Sequence, residues 1–257
     1  MHLSSYQNMS RLLRENVPYS EGKVLDVGSY GVNGTYRELF DPPAWRYTGL
    51  DVVSGPNVDV VARRVFDWPI GDNAFDLVIS GQAFEHISYF WATMIEIARV
   101  LRPSGYAILL APSRGPQHRF PADCWRFYPD GLKALASWSG LELISVTNPW
   151  KRDSGLDDAS MARWGDTGGV FRKPVNHNAE ALRDLKTAMT SYISMLPDVD
   201  WTHQKTELPT VESSYRLTEL TSELTLGQLV KACARKLTWH AQHPKLTYWS
   251  WRERSRT

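Results

Sequence analysis

A glycine-rich turn after a short apolar segment constrains the fold of this chain more than any other feature of its sequence. Val24 to Val27 has the apolar character of a buried strand. The glycine-rich run DVGSYGVNG, Asp26 to Gly34, starts within this segment and continues beyond it. Glycine adopts backbone angles that are closed to other residues and lets the main chain approach a ligand closely. Thr35 to Phe40 is predicted to be a helix, so the turn joins a strand to a helix.

A carboxylate lies at the end of the next predicted strand. This strand covers Tyr47 to Leu50 and is followed directly by Asp51. In a parallel sheet, a glycine turn after one strand and an acid after its neighbour are typical of a nucleoside site, where the acid accepts hydrogen bonds from the ribose hydroxyls. The sequence therefore predicts a nucleoside pocket at the carboxyl ends of the strands.

Strand-like and helix-like segments alternate over residues 22–147. Phe75–Ser80 and Tyr106–Ala111 are predicted strands, and Phe90–Leu101 between them carries apolar residues at helical spacing. Pro129–Ser139 is predicted as a further helix and Leu141–Thr147 as a further strand. Such alternation indicates parallel βαβ units, so we expect an α/β fold with a doubly wound, mostly parallel sheet.

The pattern changes towards the end of the chain. A long loop is predicted from Asn148 to Gly169, and Val170–Arg172 after it is predicted as a last edge strand. Ala179–Leu196 and Leu217–Leu237 have helical character. These segments predict a mainly helical C-terminal part.

The length of 257 residues fits one sizeable domain with an extension, and we expect a sheet domain over residues 1–175 and a helical C-terminal extension over residues 176–257. The two cysteines, Cys124 and Cys233, lie far apart and show no zinc-ligand spacing. A net charge of +1 argues against a nucleic-acid partner. The sequence indicates no signal peptide and no membrane span, so we expect a cytoplasmic protein.

Several further segments occur in a specific order along the chain. They are Val24–Gly28, Gly49–Asp51, Phe75–Val78, Phe84–Ile87 and the stretch from Glu96 to Tyr106. Together they resemble the class I S-adenosylmethionine-dependent methyltransferases, specifically those that act on small molecules, over residues 22–143. The resemblance implies a Rossmann-like fold and S-adenosylmethionine as the cofactor, with S-adenosylhomocysteine as its product.

Two features favour this ligand over a dinucleotide. Tyr30 stands where a Gly-x-Gly-x-x-Gly turn would have its second glycine. A pyrophosphate binds at an open helix N-terminus, whereas adenosylmethionine carries no phosphate. Asp26 suits its ammonium group, Asp51 its ribose hydroxyls and Asp67 its adenine amino group, although Asp26 and Asp67 would also serve as turn residues. The predicted cofactor-binding residues are Asp26, Gly28, Ser29, Gly34, Asp51, Asp67, Trp68, Gly81 and Gln82.

Methyl transfer to an alcohol requires alignment of the acceptor and removal of its proton. Histidine titrates near neutrality, and both His86 and His118 follow predicted strands. The predicted catalytic residues are His118, His86, Asp123 and Glu85, with either histidine, or Glu85 in its place, as the base. Asp123 would orient a histidine, bind acceptor hydroxyls or cap a turn, and His86 could instead be structural. A divalent metal ion on Asp123 together with Asp153, Asp157 or Asp158 is conceivable, but no ligand spacing indicates one, so we expect a metal-independent site.

The loop from Gln117 to Phe127 combines charged and aromatic side chains. Such a lining suits a polyhydroxylated acceptor, since the C–H faces of sugar rings stack on indoles. The loop also resembles a stretch of methyltransferases encoded with bacterial glycan and natural-product pathways, which implies that the acceptor is a hydroxyl of a sugar, oligosaccharide or glycoside. The predicted acceptor-binding residues are Trp125, Arg126, Arg119, Trp150 and Trp164.

Two other functions fit the same sequence features. A natural-product or lipid hydroxyl methyltransferase would use the same aromatic loop, and a catalytically silent adenosylmethionine-binding protein would keep the same cofactor residues. Loops as long as Asn148–Gly169 are usually lids or binding loops, so we expect this one to line the acceptor pocket. Residues 176–257 are expected either to complete that pocket or to form a homodimer face.

Overall fold

A seven-stranded mixed sheet forms the centre of the fold, and four α-helices accompany it in the described part of the chain. The computed structural model describes residues 3–31, 34–64, 66–119, 122–147 and 164–196. The strands are β1 (Gly22–Val27), β2 (Trp45–Asp51), β3 (Val60–Val61), β4 (Phe75–Gly81), β5 (Leu101–Pro112), β6 (Glu142–Val146) and β7 (Asp166–Arg172). The helices are α1 (Leu3–Asn16), α2 (Phe90–Val100), α3 (Pro129–Ser139) and α4 (Ala179–Ser194).

The strand order is β3-β2-β1-β4-β5-β7-β6. The first five strands in this order pair in parallel, and β7 pairs antiparallel with both β5 and β6. The predicted doubly wound, mostly parallel sheet is thereby confirmed. The direction of winding reverses between β1 and β4, and in open α/β sheets ligands bind beyond the carboxyl ends of the strands at such a switch point.

The last strand lies inside the sheet, so the prediction of an edge strand at Val170–Arg172 was wrong. Strand β7 begins at Asp166 and is paired on both sides, with β6 as the edge strand. Val170 and Phe171 are completely buried. A strand inserted antiparallel between two others depends on long-range pairing, which a local sequence pattern does not reveal.

Apolar side chains on the two faces of the sheet form two cores. One contains Leu25 and Val78 together with Ile95 of α2 and Leu135 of α3. The other contains neighbouring strand residues packed against α1, with Met9 among them. Each fully buried aliphatic side chain stabilises the fold by about 1.5–3 kcal/mol relative to an exposed one, so both faces of the central strands are fixed.

The helix predicted for Thr35–Phe40 is wrong, because the structure has only one 3-10 turn there, Arg37–Leu39. The hydroxyl of Thr35 accepts a hydrogen bond from the amide of Arg37, 3.0 Å away. Local side-chain bonds of this kind compete with helical hydrogen bonding. By contrast, α3 begins and ends at the predicted residues, Pro129 and Ser139. The residue after it, Gly140, has a φ of 68°, which is favourable for glycine and ends the helix.

Strand β5 starts earlier than the predicted Tyr106. Helix α2 ends at Val100 and the chain continues directly into the strand at Leu101. The pairing of β5 with β4 shifts register between Phe75 and Leu77, and Ser104 has a positive φ of 63°. An irregularity of this kind lets a Pro-Ser-Gly sequence, which indicates a turn, remain within a strand.

Helix α4 belongs to the same compact unit as the sheet. Its Leu182 is buried, and its Lys186 forms an ion pair of 2.6 Å with Glu96 of α2. The division into a domain of residues 1–175 and an extension of residues 176–257 stays a prediction, and the helix predicted for Leu217–Leu237 lies outside the described residues. None of the helices described is both long and apolar enough to span a membrane.

Candidate active site

The turn after β1 is fixed by main-chain contacts with β2. The amides of Gly28 and Ser29 both donate to the carbonyl oxygen of Leu50, at 2.9 and 3.1 Å. Gly28 has a φ of 79°, and a Cβ atom at this position would lie 2.3 Å from the Cβ atom of Ala83. Glycine is therefore required here twice, for its backbone angles and for the close approach of the chain that leaves β4.

Asp26 is buried at the end of β1, where its carboxylate accepts a hydrogen bond from the hydroxyl of Tyr47. The amide of Asn57 donates to the same Tyr47 hydroxyl at 3.0 Å and to the carbonyl of Ser29 at 3.0 Å. Burial raises the pKa of Asp26 to about 7, against the lowering effect of the bond from Tyr47. The structure thus ties this carboxylate to β2, while its predicted contact with a ligand ammonium stays a prediction.

Asp51 lies at the carboxyl end of β2, next to the glycine turn. Its Oδ2 atom accepts the amide of Tyr30 at 3.1 Å, and its Oδ1 atom accepts the amide of Val52 at 2.7 Å. These bonds hold the carboxylate beside the glycine turn while the residue remains partly exposed. The amide of Val53 also donates to Oδ1, at 3.4 Å. A carboxylate has about four acceptor positions, so Asp51 retains capacity for a ligand hydroxyl.

The end of β4 lies beside β1, on the side opposite to β2. A Cβ atom at Gly81 would lie 2.2 Å from the hydroxyl oxygen of Tyr36, so only glycine fits beside this ring. Gln82 has a φ of 59°, and its buried Nε2 atom has no hydrogen-bond partner among the described residues. An orphaned buried amide beside two glycine positions fits a polar, phosphate-free ligand such as S-adenosylmethionine.

The structure separates the two residues predicted to contact adenine. Asp67 is exposed on a loop after β3, whereas Trp68 is only 5% exposed and packs in the core. The amide of Trp68 donates to the carboxylate of Glu96 at 3.1 Å. Gly34, another predicted contact, has a φ of 121°, and the two residues before it lie outside the described residues.

Glu85 is the most unusual titratable residue of the site. It belongs to the 3-10 turn Phe84–His86 just beyond β4 and is completely buried. Neither of its carboxylate oxygens has a hydrogen-bond partner among the described residues. Burial, together with the negative charges of Asp166 and Asp123, raises its pKa to about 8. The side chain is therefore largely protonated at neutral pH.

The two predicted histidines lie side by side. The ring centroids of His86 and His118 are 4.9 Å apart, at an angle of 75°. The Nδ1 atom of His86 lies 2.5 Å from the carbonyl oxygen of Ala122, and since a carbonyl only accepts, Nδ1 carries the proton. Burial lowers the pKa of both histidines, so both favour the neutral form at pH 7.

Asp123 is buried between His118 and Arg126. Its carboxylate accepts the amide of His118 at 2.6 Å and two bonds from the Arg126 guanidinium at 2.6 and 2.8 Å. Burial would raise the pKa of Asp123, but these bonds lower it below its usual value. The Nδ1 atom of His118 lies 3.2 Å from Asp123 Oδ2, close enough for a charge interaction although not aligned as a hydrogen bond.

The aromatic residues predicted for acceptor binding have different environments. Trp125 is 39% exposed and its indole nitrogen donates to the carbonyl of Ile87 at 3.1 Å. Trp164 is buried, with its ring centroid 4.6 Å from that of His118. Arg119 is exposed on the same loop as His118, and Trp150 lies outside the described residues. The structure thus brings Trp164 next to His118, whereas Trp125 packs against Phe90 and Trp91 of α2.

Sequence reasoning missed three residues of the site. Asp166, at the start of β7, is buried and its charge acts on Glu85, but the sequence pattern assigned it to a loop. Tyr47 and Tyr36 contact Asp26 and Gly81 from neighbouring segments. A tyrosine beside a motif residue across a sheet produces no local signal in the sequence.

Comparison with known proteins places this geometry in context. Residues 25–109 match a sequence family described as a methyltransferase domain. The fold is similar to Burkholderia thailandensis 1,6-didemethyltoxoflavin-N1-methyltransferase with bound 1,6-didemethyltoxoflavin and S-adenosylhomocysteine, at a TM-score of 0.52 and 19% identity over 66% of this chain and 79% of that one. It is also similar to a protein assigned as a methyltransferase in complex with the Haloferax volcanii Trm112 methyltransferase activator, at a TM-score of 0.51 and 20% identity over 66% of this chain and 91% of that one.

Two curated relatives also match. An uncharacterized methyltransferase of Mycobacteroides abscessus is 27% identical over 179 residues, which is 58% of this chain and 68% of that protein. Phthiotriol/phenolphthiotriol dimycocerosates methyltransferase 1 of Mycobacterium ulcerans is 30% identical over 113 residues, 39% of this chain and 41% of that protein. The second match thus spans about two fifths of that relative's length. The predicted Rossmann-like fold is confirmed. The match of residues 25–109 to a methyltransferase domain supports S-adenosylmethionine as the cofactor.

Proposed function

We propose that this S-adenosylmethionine-dependent methyltransferase domain transfers the methyl group to a hydroxyl oxygen of a sugar, oligosaccharide or glycoside. The observation that carries the proposal is the grouping of His118, His86 and Asp123 beyond the carboxyl ends of β4 and β5. An alcohol is a weak nucleophile until its proton is removed, and a positioned base accelerates such a step by about 10²–10⁴-fold.

His118 is the proposed base. It is the more exposed of the two histidines, with 35% of its side chain accessible against 16% for His86. The Asp123 carboxylate beside its Nδ1 atom favours the tautomer that leaves the Nε2 lone pair available, and it stabilises the imidazolium that forms when the proton arrives. Its lowered pKa keeps the ring neutral at physiological pH, which a base requires.

The reaction then needs no metal ion in this proposal. The bound cofactor supplies an electrophilic methyl group on its sulfonium. S-adenosylmethionine, held by Asp51 at its ribose and by Asp26, Gly28 and Ser29 at its methionine part, would supply the methyl group and would leave as S-adenosylhomocysteine. Nε2 of His118 would accept the proton that the acceptor hydroxyl loses when its oxygen gains the methyl group.

The environment of His118 supports a polyhydroxylated acceptor. The exposed indole of Trp125 offers a flat apolar face for a sugar ring, and the ring of Trp164 lies against His118. Arg126 has a different role from the predicted one, because its bidentate bond to Asp123 and its bond to the carbonyl of Pro116 fasten the loop. We therefore assign Arg126 to positioning Asp123.

A natural-product or lipid hydroxyl is the second candidate acceptor. The similarity to the Mycobacterium ulcerans enzyme, whose name gives phthiotriol and phenolphthiotriol dimycocerosates as its substrates, favours this alternative. The exposed indole of Trp125 would also hold an apolar aglycone. Both candidates share the proposed removal of a hydroxyl proton, so they differ only in what the aromatic surface binds.

An acceptor screen tests the proposal. Purified protein is incubated with methyl-labelled S-adenosylmethionine and matched pairs of compounds, each a glycoside together with its free aglycone and its free sugar. Label transfer to the glycosides and sugars supports the proposed acceptor class. Transfer only to aglycones or lipid alcohols supports the second candidate, and transfer only to amines contradicts oxygen-directed methylation.

A further inference from the structure

The geometry points to a binding site for a divalent transition-metal ion formed by Glu85, His86 and His118. One potential ligand atom from each residue lies within 4.8 Å of the other two. Two imidazole nitrogens and one carboxylate oxygen form a ligand set that suits Zn²⁺ and similar ions, and three protein ligands leave a coordination position open. Because the residues come from two segments 32 positions apart, no local spacing in the sequence indicates the site.

The environment of Glu85 is the independent observation that indicates a ligand. Its carboxyl group is completely buried, and both oxygens are without a hydrogen-bond partner among the described residues. Its Oε1 atom lies 3.7 Å from Nε2 of His86. Burial of a carboxyl group without partners is costly. A cation that replaces the proton of this carboxyl group and lies between its oxygen and the imidazole nitrogen provides the missing interaction.

The orientation of His86 matches that of a metal ligand. Its Nδ1 atom donates to the carbonyl oxygen of Ala122, and in the neutral ring this leaves the lone pair on Nε2, the atom nearer to Glu85. Metal-ligating histidines usually donate their other ring nitrogen to a carbonyl or carboxylate in this way. His118 has the Asp123 carboxylate 3.2 Å from its Nδ1 atom, near enough for a charge interaction although not aligned as a hydrogen bond.

The three side chains form a site that is open on one side. Their exposed fractions rise from 0% for Glu85 through 16% for His86 to 35% for His118, so an ion would enter past His118. Tetrahedral ligands at about 2.1 Å from Zn²⁺ are about 3.4 Å apart. The observed spread of up to 4.8 Å therefore has to contract by up to about 1.4 Å, and of the three side chains that of His118 is the most exposed.

Metal binding has a consequence for catalysis, and this consequence rests on the proposed function. An ion bound to His118 occupies the lone pair that the proposed base uses to accept the acceptor proton. Transition-metal ions are therefore expected to inhibit methyl transfer at concentrations that saturate the site. The binding itself does not depend on what the acceptor is.

Titration of the full-length, chelator-treated protein with Co²⁺ by absorption spectroscopy, and with Zn²⁺ by calorimetry, tests the site. Wild-type protein is expected to bind one equivalent more than Glu85→Gln and His86→Ala do, or to bind it at least tenfold more tightly. His177→Ala is the matched control, since this imidazole bonds to the carbonyl of Ser139 at 2.9 Å, away from the cluster. Cys124→Ser controls for the neighbouring thiol, and both controls should bind like wild type.

The possible results distinguish the metal site, its effect on catalysis and the proposed function. Equal binding by wild type, Glu85→Gln and His86→Ala overturns the metal site, as does loss of the ion in Cys124→Ser. Binding that follows the expected pattern together with full methyl transfer by the loaded protein overturns the inhibitory consequence. Binding that follows the pattern in a protein that methylates no hydroxyl leaves the metal site in place and contradicts the proposed function alone.

Discussion

The Nδ1 atom of His86 lies 2.5 Å from the carbonyl oxygen of Ala122, so the turn after β4 is joined to the loop that carries His118. A second connection reinforces the first, because the amide of Cys124 donates to the carbonyl of Glu85 at 2.7 Å. The ends of β4 and β5 thus share one rigid site. A site on such a scaffold holds its side chains in the fixed geometry that catalysis requires.

Replacing His118 with alanine is expected to lower kcat by about 10²–10⁴-fold, because the acceptor hydroxyl loses its base. The affinity for S-adenosylhomocysteine, measured by calorimetry, should remain near that of wild type, since the loop lies on the acceptor side. His177→Ala is the control and should keep full turnover. Wild-type turnover in His118→Ala would mean that another group removes the proton.

Asp51→Ala is expected to weaken binding of S-adenosylhomocysteine by about 10- to 150-fold, which corresponds to one charge-assisted hydrogen bond of about 1.5–3 kcal/mol. Glu21→Ala removes an exposed acid at the opposite end of the sheet, before β1, and should leave the affinity unchanged. Calorimetric titration of both variants measures the difference. Equal affinities would show that Asp51 does not contact the ribose.

Asp26→Asn is expected to change how stability depends on pH. The pKa of Asp26 is raised from 3.8 to about 7 in the folded protein, so between these values the folded state binds more protons than the unfolded state. The contribution of Asp26 to the free energy of unfolding is fully present below pH 4 and decreases as the pH rises to about 7, by roughly 4 kcal/mol in all. Denaturant unfolding at pH 4.5 and pH 8 measures it. The variant should lose less stability than wild type between these pH values, and an equal loss would contradict the prediction.

Glu96→Ala is expected to destabilise the protein by about 3–5 kcal/mol, because it removes the buried carboxylate that pairs with both Arg99 and Lys186. The Glu96 side chain is completely buried and accepts bonds from Arg99 at 2.7 and 2.9 Å and from Lys186 at 2.6 Å. The matched control is Glu142→Ala, which breaks an exposed pair with Arg172 and should cost at most about 1 kcal/mol. Urea unfolding compares the two, and similar losses would contradict the assigned role of Glu96.

The sequence predicted those parts of the fold that local patterns determine. The strands before Gly28 and Asp51 and the helix Pro129–Ser139 follow from apolar periodicity and from glycine and proline positions. It did not predict the place of β7, because pairing of Val170 with Ile108 of β5 is a long-range contact. The helix prediction for Thr35–Phe40 failed for a local reason. The hydroxyl of Thr35 accepts a hydrogen bond from the amide of Arg37 and so competes with helical hydrogen bonding.

In the site, too, local sequence patterns predicted some features, and long-range packing determined others. His86 and His118 were recognisable as candidates because each follows a strand of a parallel sheet, whose carboxyl ends meet at one edge. The burial of Glu85 and Trp68 could not be predicted from the sequence, since burial depends on the packing of segments far apart along the chain. Arg126 was predicted to bind the acceptor, but its ion pair with Asp123 favours a role in positioning that carboxylate.

The most direct test of the proposed function is to determine the atom that receives the methyl group. The product formed with S-adenosylmethionine labelled with ¹³C in its methyl group is analysed by two-dimensional NMR, for wild type and for His118→Ala. We expect a methoxy carbon coupled to a sugar ring proton with the wild-type protein, and a signal reduced at least 100-fold with the variant. A methyl carbon attached to nitrogen, sulfur or carbon, or a methoxy signal equal in both proteins, would contradict the account.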